Sequence, residues 1–157
     1  MTGWYDVAES RVVPAGAEDA FRAVIPIPLT RIFAHRFGPI PPIRDVLGQD
    51  GEWGTPGQTR TIVLADGGRM REELTAVDEP SSFDYRITGI TGPMRPLVAE
   101  VEGRWVFEPE GTTTRITWSW RIRPRPAGRL LMPVFGWFWR GYARRALATI
   151  EAVLHRG

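Results

Sequence analysis

Six segments with the character of β-strands follow one another between residues 43 and 123. They are rich in β-branched and aromatic residues, and the connections between them carry Gly, Pro, Asp or Ser, which are typical of turns. Strands joined by connections this short must be antiparallel, because a parallel pair needs a longer crossover. The predicted strands are 43–47, 59–64, 69–77, 83–90, 97–107 and 113–123.

One more strand and a short helical region precede these segments. Alternation across residues 7–13 predicts a first strand that ends at Pro14. The next stretch, AGAEDAFRAVI, has apolar residues at helical spacing and acidic residues at its start, which favours a helix. The stretch PIPLTRIF can add another helical turn. Residues 34–42, AHRFGPIPP, contain too much Pro and Gly for regular structure.

The last two strands allow a prediction of register, because the position of a two-residue turn decides which residues face each other. A turn at Glu110 and Gly111 makes one face of this hairpin apolar and the other charged. A slip by one residue would bury the charged side. On the apolar face, Gly103 has no side chain and so leaves room for the Trp118 indole that is predicted to lie opposite it. The predicted pairs are Phe107 with Thr114, Trp105 with Ile116, Gly103 with Trp118, Val101 with Trp120 and Glu100 with Arg121.

Residues 132–154, MPVFGWFWRGYARRALATIEAVL, predict a long amphipathic helix. Its apolar side must pack on something apolar, and the tryptophan-rich face of the last hairpin is the obvious partner. The longest apolar run, residues 130–139, is interrupted by Pro133 and Gly136. A membrane-spanning helix needs about 20 apolar residues, so we expect none. The apolar arc contains Phe135, Phe138, Trp139, Tyr142, Ala146, Ile150 and Val153, and Arg140, Arg144 and Glu151 lie opposite.

Composition excludes several classes of function. The 157 residues, 43% hydrophobic and 24% charged, are typical of one soluble globular domain, 1–157. Without Cys there is neither a disulfide nor a thiolate nucleophile, and because all 20 basic residues are Arg there is no Schiff-base or phosphate-loop lysine. The amino terminus carries acidic residues and no long apolar run, so we expect no secretory signal and a cytoplasmic protein.

The element order resembles that of the helix-grip proteins of the START and Bet v 1 type, also called the polyketide cyclase/dehydrase and lipid transport superfamily. The resemblance covers essentially the whole chain and depends on PAGAEDAFRAV, EELTAVDEPSSFDYRITG, WVFEPEGTTTRITWSW and RLLMPVFGWFWRGYARRALATIEAVL. It implies an α+β fold in which a curved, seven-stranded antiparallel sheet wraps around the C-terminal helix, with short helices after the first strand. The segment FGPIPPIRDV is proline-rich where many relatives have a more regular helix, so the resemblance does not locate the mouth of a chamber.

Members of this superfamily bind lipids, hormones and polyketide intermediates, and a minority catalyse cyclisation, dehydration or hydrolysis in the same cavity. Apolar side chains on the inner face of sheet and helix are therefore candidates for a ligand-binding wall, with Tyr85 and Tyr142 as hydroxyl donors. The alternative is that the same rings close on one another as a solid core. The predicted ligand-binding residues are Tyr85, Ile87, Trp105, Trp118, Trp120, Phe135, Trp139 and Tyr142.

Three other residues each have a functional interpretation and at least one ordinary structural interpretation. Glu72 shares a strand face with Met70, Leu74 and Ala76, so it could be a buried catalytic acid or base; alternatively an Arg neutralises it, or a bulge turns it to water. His35 could transfer protons near the mouth or be an ordinary surface residue. Trp137 points to the polar side of its helix and either marks a contact with a partner or a membrane surface, or packs under PRPAG or against Arg140.

These residues leave three candidate functions. The first is binding of a hydrophobic or aromatic small molecule, the second is an aromatase/cyclase-type enzyme, and the third is a protein that acts through its outer surface. With two His and no Cys we expect no metal site, and no sequence motif indicates another cofactor. In the basic stretch RIRPRPAGR, strand alternation places Arg121 and Arg123 on the solvated face of the sheet. We therefore expect no nucleic-acid partner. A monomer and a homodimer are both compatible with the sequence.

Overall fold

The protein, described by a computed structural model for residues 3–156, forms one antiparallel sheet in the order β1-β7-β6-β5-β4-β3-β2. The long helix α3 and two short helices, α1 and α2, complete the predicted helix-grip fold, which is confirmed. A 3₁₀ helix, Pro126–Leu131, which the sequence did not predict, leads directly into α3. The strands are β1 Tyr5–Val13, β2 Ile43–Leu47, β3 Thr59–Leu64, β4 Arg69–Asp78, β5 Ser82–Thr88, β6 Val98–Glu110 and β7 Thr113–Pro124; the helices are α1 Ala17–Val24, α2 Leu29–Ile32 and α3 Met132–Arg156.

The strands have the alternating burial expected for a sheet with one face on the core. In β4, Met70, Glu72 and Leu74 are buried, and their neighbours along the strand are exposed. The prediction that Ala76 shares this inner face is wrong, because a register shift between Leu74 and Ala76 inserts an extra residue and Ala76 is exposed. The bulge follows Glu72, whose side chain therefore stays inside.

The predicted register of the last hairpin is wrong by two residues. Phe107 pairs with Ile116, Trp105 with Trp118, Gly103 with Trp120, and Glu100 with Arg123. The two-residue turn is Gly111 and Thr112, because Gly111 adopts φ +64 and only glycine accepts such a conformation without strain. A shift of two residues preserves the side of the sheet on which each residue lies, so the predicted apolar face is still formed.

Helix α3 packs its predicted apolar arc against the sheet. Trp139, Ala146 and Ile150 are fully buried, and Ala143 and Leu147 join them. Gly136 allows the helix to approach β1 closely, because a Cβ there would lie 3.0 Å from the Tyr5 ring. Phe138 and Val153 are only half-buried. Within residues 3–156, no helix is long and apolar enough to cross a membrane.

Helix α1 closes one end of the sheet with a solid aromatic cluster. The Phe21 ring lies edge-on to Phe83 and Phe107, with centroids 5.8 and 5.2 Å away. Thr114, buried beside this cluster, donates a hydrogen bond of 2.7 Å to the Ala15 carbonyl. This end of the core is filled, so open space between sheet and α3 lies toward the other end of the sheet.

Candidate ligand-binding cavity

A cavity of about 170 Å³ lies between the concave face of the sheet and the first half of α3. Its wall is predominantly apolar. Three residues that line it are also exposed, namely Pro39, Asp66 and Pro93, and they mark its mouth. The mouth is thus formed by the proline-rich segment before β2, the β3–β4 turn and the β5–β6 connection.

All eight residues that the sequence nominated for ligand binding lie around this cavity. Several of them also pack on one another. Trp118 is the centre of the contacts, with its ring centroid 5.3 Å from that of Trp105 and 4.7 Å from that of Trp139. The two alternatives considered for these rings therefore both hold in part, since the rings interlock on one side and leave a cavity on the other. That they bind a ligand stays a prediction.

Glu72 lines the cavity, and its partner is an arginine that sequence analysis missed. Arg60 Nε lies 2.7 Å from Glu72 Oε1, and both side chains are about 5% exposed. Arg60 also donates to Gln49 Oε1 at 2.9 Å, and its guanidinium lies 3.8 Å from the centroid of the Trp53 ring. The pairing matches the alternative in which an Arg neutralises Glu72. Burial raises the pKa of Glu72, and the charge and hydrogen bond of Arg60 oppose that rise.

Alternation in β3 was the signal that could have found Arg60. Arg60, Ile62 and Leu64 are all buried and lie on the same strand face. Antiparallel pairing then places Arg60 directly opposite Glu72. Gln49 and Trp53, by contrast, come from the irregular β2–β3 connection, where no periodicity predicts which side chains turn inward.

The Tyr85 hydroxyl is held by two indoles. Trp118 Nε1 and Trp120 Nε1 donate to its oxygen at 2.7 and 2.8 Å. Because the Tyr85 oxygen accepts both of these hydrogen bonds, the hydroxyl proton is still available for donation to a third group. No residue within 3–156 accepts this proton in the structure. The space that Gly103 leaves is filled by the Tyr85 ring and not by an indole, because Tyr85 on β5 pairs directly with Gly103 on β6.

Two further polar groups belong to the α3 side of the cavity. The Tyr142 hydroxyl donates to the Pro41 carbonyl at 3.2 Å, which ties the proline-rich segment to the helix. The indole N–H of Trp139 is buried and has no hydrogen-bond partner among the described residues. An unpaired buried donor is costly, so the N–H of Trp139 would gain from an acceptor brought in by a ligand.

The remaining predicted site residues lie elsewhere. His35 is exposed and is not among the residues that line the cavity. Trp137 is 62% exposed, and its nearest aromatic neighbours are Phe37 and Phe138, so the prediction that it packs under PRPAG or against Arg140 is wrong. Within residues 3–156, no cluster of three His, Cys, Asp or Glu side chains could hold a metal ion.

The buried hydroxyl groups of Tyr85 and Tyr142 make the stability of the fold depend on pH. Burial raises the pKa of Tyr85, and the Glu72 carboxylate raises it further while the two indole hydrogen bonds and Arg60 oppose the shift; burial alone raises the pKa of Tyr142. A raised pKa in the folded state means that the stability from these groups is fully present below pH 10 and is lost as the pH rises beyond it. We therefore expect the free energy of unfolding to fall above about pH 10.

Phenolate absorbance in the near ultraviolet checks this expectation. At about pH 11 the folded Tyr85→Phe variant should have the same phenolate absorbance as the folded wild type, because Tyr85 stays protonated in the folded wild type. After denaturation, the absorbance of the variant should be lower by the contribution of one tyrosine. A loss in the folded protein would show that Tyr85 ionises in place and contradict its desolvation.

The sheet, the helix it wraps and the apolar cavity between them define a helix-grip protein. Residues 5–155 match the family described as polyketide cyclase / dehydrase and lipid transport, and the chain belongs to this family. The predicted superfamily is thereby confirmed. No curated protein sequence matches the chain significantly.

Solved structures of the same fold cover nearly the whole chain. A Thermus thermophilus protein, TTHA0849, has 18% identity and a TM-score of 0.73 over 97% of this chain and 98% of its own. A norcoclaurine synthase point mutant from Thalictrum flavum, in complex with a transition-state analogue, has 15% identity and a TM-score of 0.72 over 98% and 97%. The major latex-like protein 151 of Panax ginseng has 16% identity and a TM-score of 0.63 over 95% and 96%. At these identities the likeness shows the fold alone.

Proposed function

We propose that this protein binds a small, mainly apolar ligand in the cavity and holds an oxygen atom of that ligand through the Tyr85 hydroxyl. The observation that carries the proposal is an apolar cavity with one polar corner, where the Tyr85 hydroxyl proton has no partner among the described residues. A cavity of this kind provides affinity by burial and orientation by a few polar groups.

The cavity volume limits the size of the ligand. About 170 Å³ is close to the engineered apolar cavity of about 150 Å³ that takes up benzene in another protein. A single substituted ring fits this volume, whereas a long acyl chain would require the wall to open. The mouth at Pro39 and Pro93 is the natural place for such opening, because it is formed by connections and not by paired strands.

The charges around the cavity favour an uncharged ligand. Glu72 and Arg60 form an ion pair with each other, so neither charge needs a counter-charge from a ligand. A charged ligand would lose its hydration without gaining a free partner. The available groups are two donors, the hydroxyl of Tyr85 and the indole N–H of Trp139, which suit a carbonyl or hydroxyl oxygen.

A matched pair of probes tests this proposal. Acetophenone and ethylbenzene have nearly the same shape and differ in a carbonyl oxygen, so wild-type protein should bind acetophenone about five- to tenfold more tightly in a calorimetric or tryptophan-quenching titration. The Tyr85→Phe variant should lose this preference while still binding ethylbenzene. Trp137→Phe, a change of an exposed ring away from the cavity, should alter neither affinity.

Contrary results of this titration would contradict either ligand binding as a whole or the role of the Tyr85 hydroxyl alone. Failure of both probes to bind would overturn the ligand-binding proposal. An equal affinity for both probes in the wild type would reject the role of the Tyr85 hydroxyl, as would an unchanged preference in Tyr85→Phe.

Proton chemistry of the cyclase type is a second candidate, favoured by one observation. Glu72 is buried in the cavity wall, and its burial raises its pKa as a general acid or base requires. The Arg60 hydrogen bond holds one oxygen of that carboxylate, which disfavours a free acid. The test is a Glu72→Gln variant assayed with a polyketide mimic. Unchanged turnover would remove Glu72 from the mechanism, and a large loss of turnover in a variant that still binds acetophenone would support it.

A further inference from the structure

Large exposed hydrophobic side chains concentrate on one short stretch of the surface. Four of the six such residues in the described chain lie within residues 130–137, which we call the apolar ridge: Leu130 at 92% exposure, Leu131 at 47%, Val134 at 56% and Trp137 at 62%. Their spacing places them along one side of the 3₁₀ helix and the first two turns of α3. Scattered single apolar residues are normal on a surface, but a continuous row of this size marks an interaction site.

The packing around α3 keeps the ridge on the outer side of the helix. The Trp137 ring lies edge-on to Phe138, with centroids 5.0 Å apart, and 6.3 Å from the Phe37 centroid. Phe37 in turn occupies the space that Gly141 leaves open on α3. The inner side of the same helix turns is taken up by the cavity wall, including Trp139, so the ridge cannot turn inward to bury itself.

The chain segments that carry the ridge and most of the mouth contain arginines and no acidic residues. Residues 111–150 contain no Asp or Glu, and neither do residues 20–44 and 85–99, which form most of the mouth. Arg129 and Arg36 are exposed, Arg140 is half-buried, and none of the three forms an ion pair within the described residues. Within the described residues, four arginines of the segment 111–150 form ion pairs with acidic residues of β1 or β6, namely Arg115, Arg121, Arg123 and Arg144, and four form none, namely Arg125, Arg129, Arg140 and Arg145.

The ridge is next to the mouth of the cavity. The 3₁₀ helix that carries Leu130 packs on Leu97, whose carbonyl accepts a 2.9 Å hydrogen bond from Arg125 N and lies where a Cβ of Gly128 would be. Leu97 itself lines the cavity. On the other side of α3, Phe138 packs against Gly38, directly before the mouth residue Pro39.

We propose that the apolar ridge docks the protein on the surface of an anionic phospholipid bilayer. Leu130, Leu131 and Val134 would enter the boundary between headgroups and acyl chains, with Trp137 at the headgroup level where indoles concentrate. The arginines around the ridge would be attracted by the negative charge of the lipids. Docking in this orientation places the mouth of the cavity at the membrane, and the inference stands whether or not the cavity holds a ligand.

Shape and charge together favour a membrane over other partners. A side chain that is 92% exposed protrudes from the surface, so the ridge is not a groove for a peptide. Its aliphatic residues cannot stack on bases, and stacking aromatics are what single-stranded nucleic acids require. A second copy of this chain would place the same arginines opposite each other, a like-charge juxtaposition that opposes association.

Vesicle co-sedimentation tests the proposal with a matched pair of variants. Val134→Asp and Val12→Asp make the same chemical change at two exposed valines, the first in the ridge and the second on β1 beside Arg115. Val134 is the third residue of α3, where an acidic side chain suits the positive end of the helix dipole, so the variant should fold. Wild type and Val12→Asp should bind vesicles of phosphatidylcholine with phosphatidylglycerol, and Val134→Asp should bind about tenfold more weakly.

Lipid composition and a depth probe complete the test. Vesicles of phosphatidylcholine alone should bind the wild type much more weakly, and acyl-brominated anionic lipids should quench an emission component that the Trp137→Phe variant lacks. Absence of binding to anionic vesicles, or equal loss of binding in Val12→Asp, would overturn the proposal. A dimer in sedimentation velocity that Val134→Asp dissociates would also overturn it and assign the ridge to self-association.

Discussion

Replacement of Arg60 by Met is expected to lower the free energy of unfolding by about 3–5 kcal/mol at pH 7. The methionine has a similar volume, so the loss comes from the Glu72 carboxylate, which stays buried without its 2.7 Å partner. Urea unfolding of the wild type and variant at pH 7 measures the difference.

The pH dependence of this loss follows from the same cause. In the variant, only burial acts on Glu72, and burial raises its pKa above the unfolded value. A group whose pKa is raised in the folded state contributes stability below its unfolded pKa and loses that contribution as the pH rises. The difference between Arg60→Met and wild type should therefore shrink as the pH is lowered toward about 5.

A double variant is the matched control for Arg60→Met. Arg60→Met with Glu72→Leu removes both charges and should recover the stability of the wild type or exceed it, since apolar replacements of buried pairs are often neutral or stabilising. If the double variant is as unstable as the single one, Arg60 acts through its packing on Trp53 and its hydrogen bond to Gln49, and not through Glu72.

Replacement of Trp118 by Ala is the second large effect, with an expected cost of about 3–5 kcal/mol. Trp118 is 2% exposed, stacks on Trp105, contacts Trp139 and Phe33, and donates one of the two hydrogen bonds to Tyr85. Its removal leaves a large void and frees the tyrosine. Thermal or urea unfolding measures the loss.

Trp137→Ala is the control for this substitution, because it deletes the same side chain at an exposed site. It should change the free energy of unfolding by no more than about 0.5 kcal/mol. Comparable losses in the two variants would contradict the distinction between a cavity wall and an exposed ridge.

The fold could be predicted from local chemistry because each of its signals acts over short distances. Alternation in the strands, turn residues between them and the helical arc after residue 132 identify the elements, and Ile43–Leu47 and Thr59–Leu64 begin and end as predicted. The hairpin register failed because moving the turn by one residue shifts the strand pairing by two residues, which leaves the same faces apolar. The observed turn has Gly111 at its first position with φ +64, where a two-residue hairpin turn favours glycine.

The candidate site was predictable on its apolar side and not on its polar side. Apolar periodicity predicts which side chains face the interior, and Trp105, Trp118 and Trp139 do line the cavity. The polar corner depends on contacts between residues distant in sequence. Arg60 reaches Glu72 across a hairpin, Trp118 and Trp120 converge on Tyr85, and the loop residue Trp53 covers the guanidinium. No local pattern contains these contacts.

The most direct test of the cavity is a two-dimensional NMR titration that follows the indole N–H signals of the seven tryptophans while acetophenone is added. The signals of the cavity residues Trp118, Trp120 and Trp139 should shift together and saturate, because their N–H groups lie near the bound oxygen or hold Tyr85. The exposed Trp137 signal should stay in place. Shifts confined to Trp137, or no saturable shift of any indole, would contradict a ligand-binding interior.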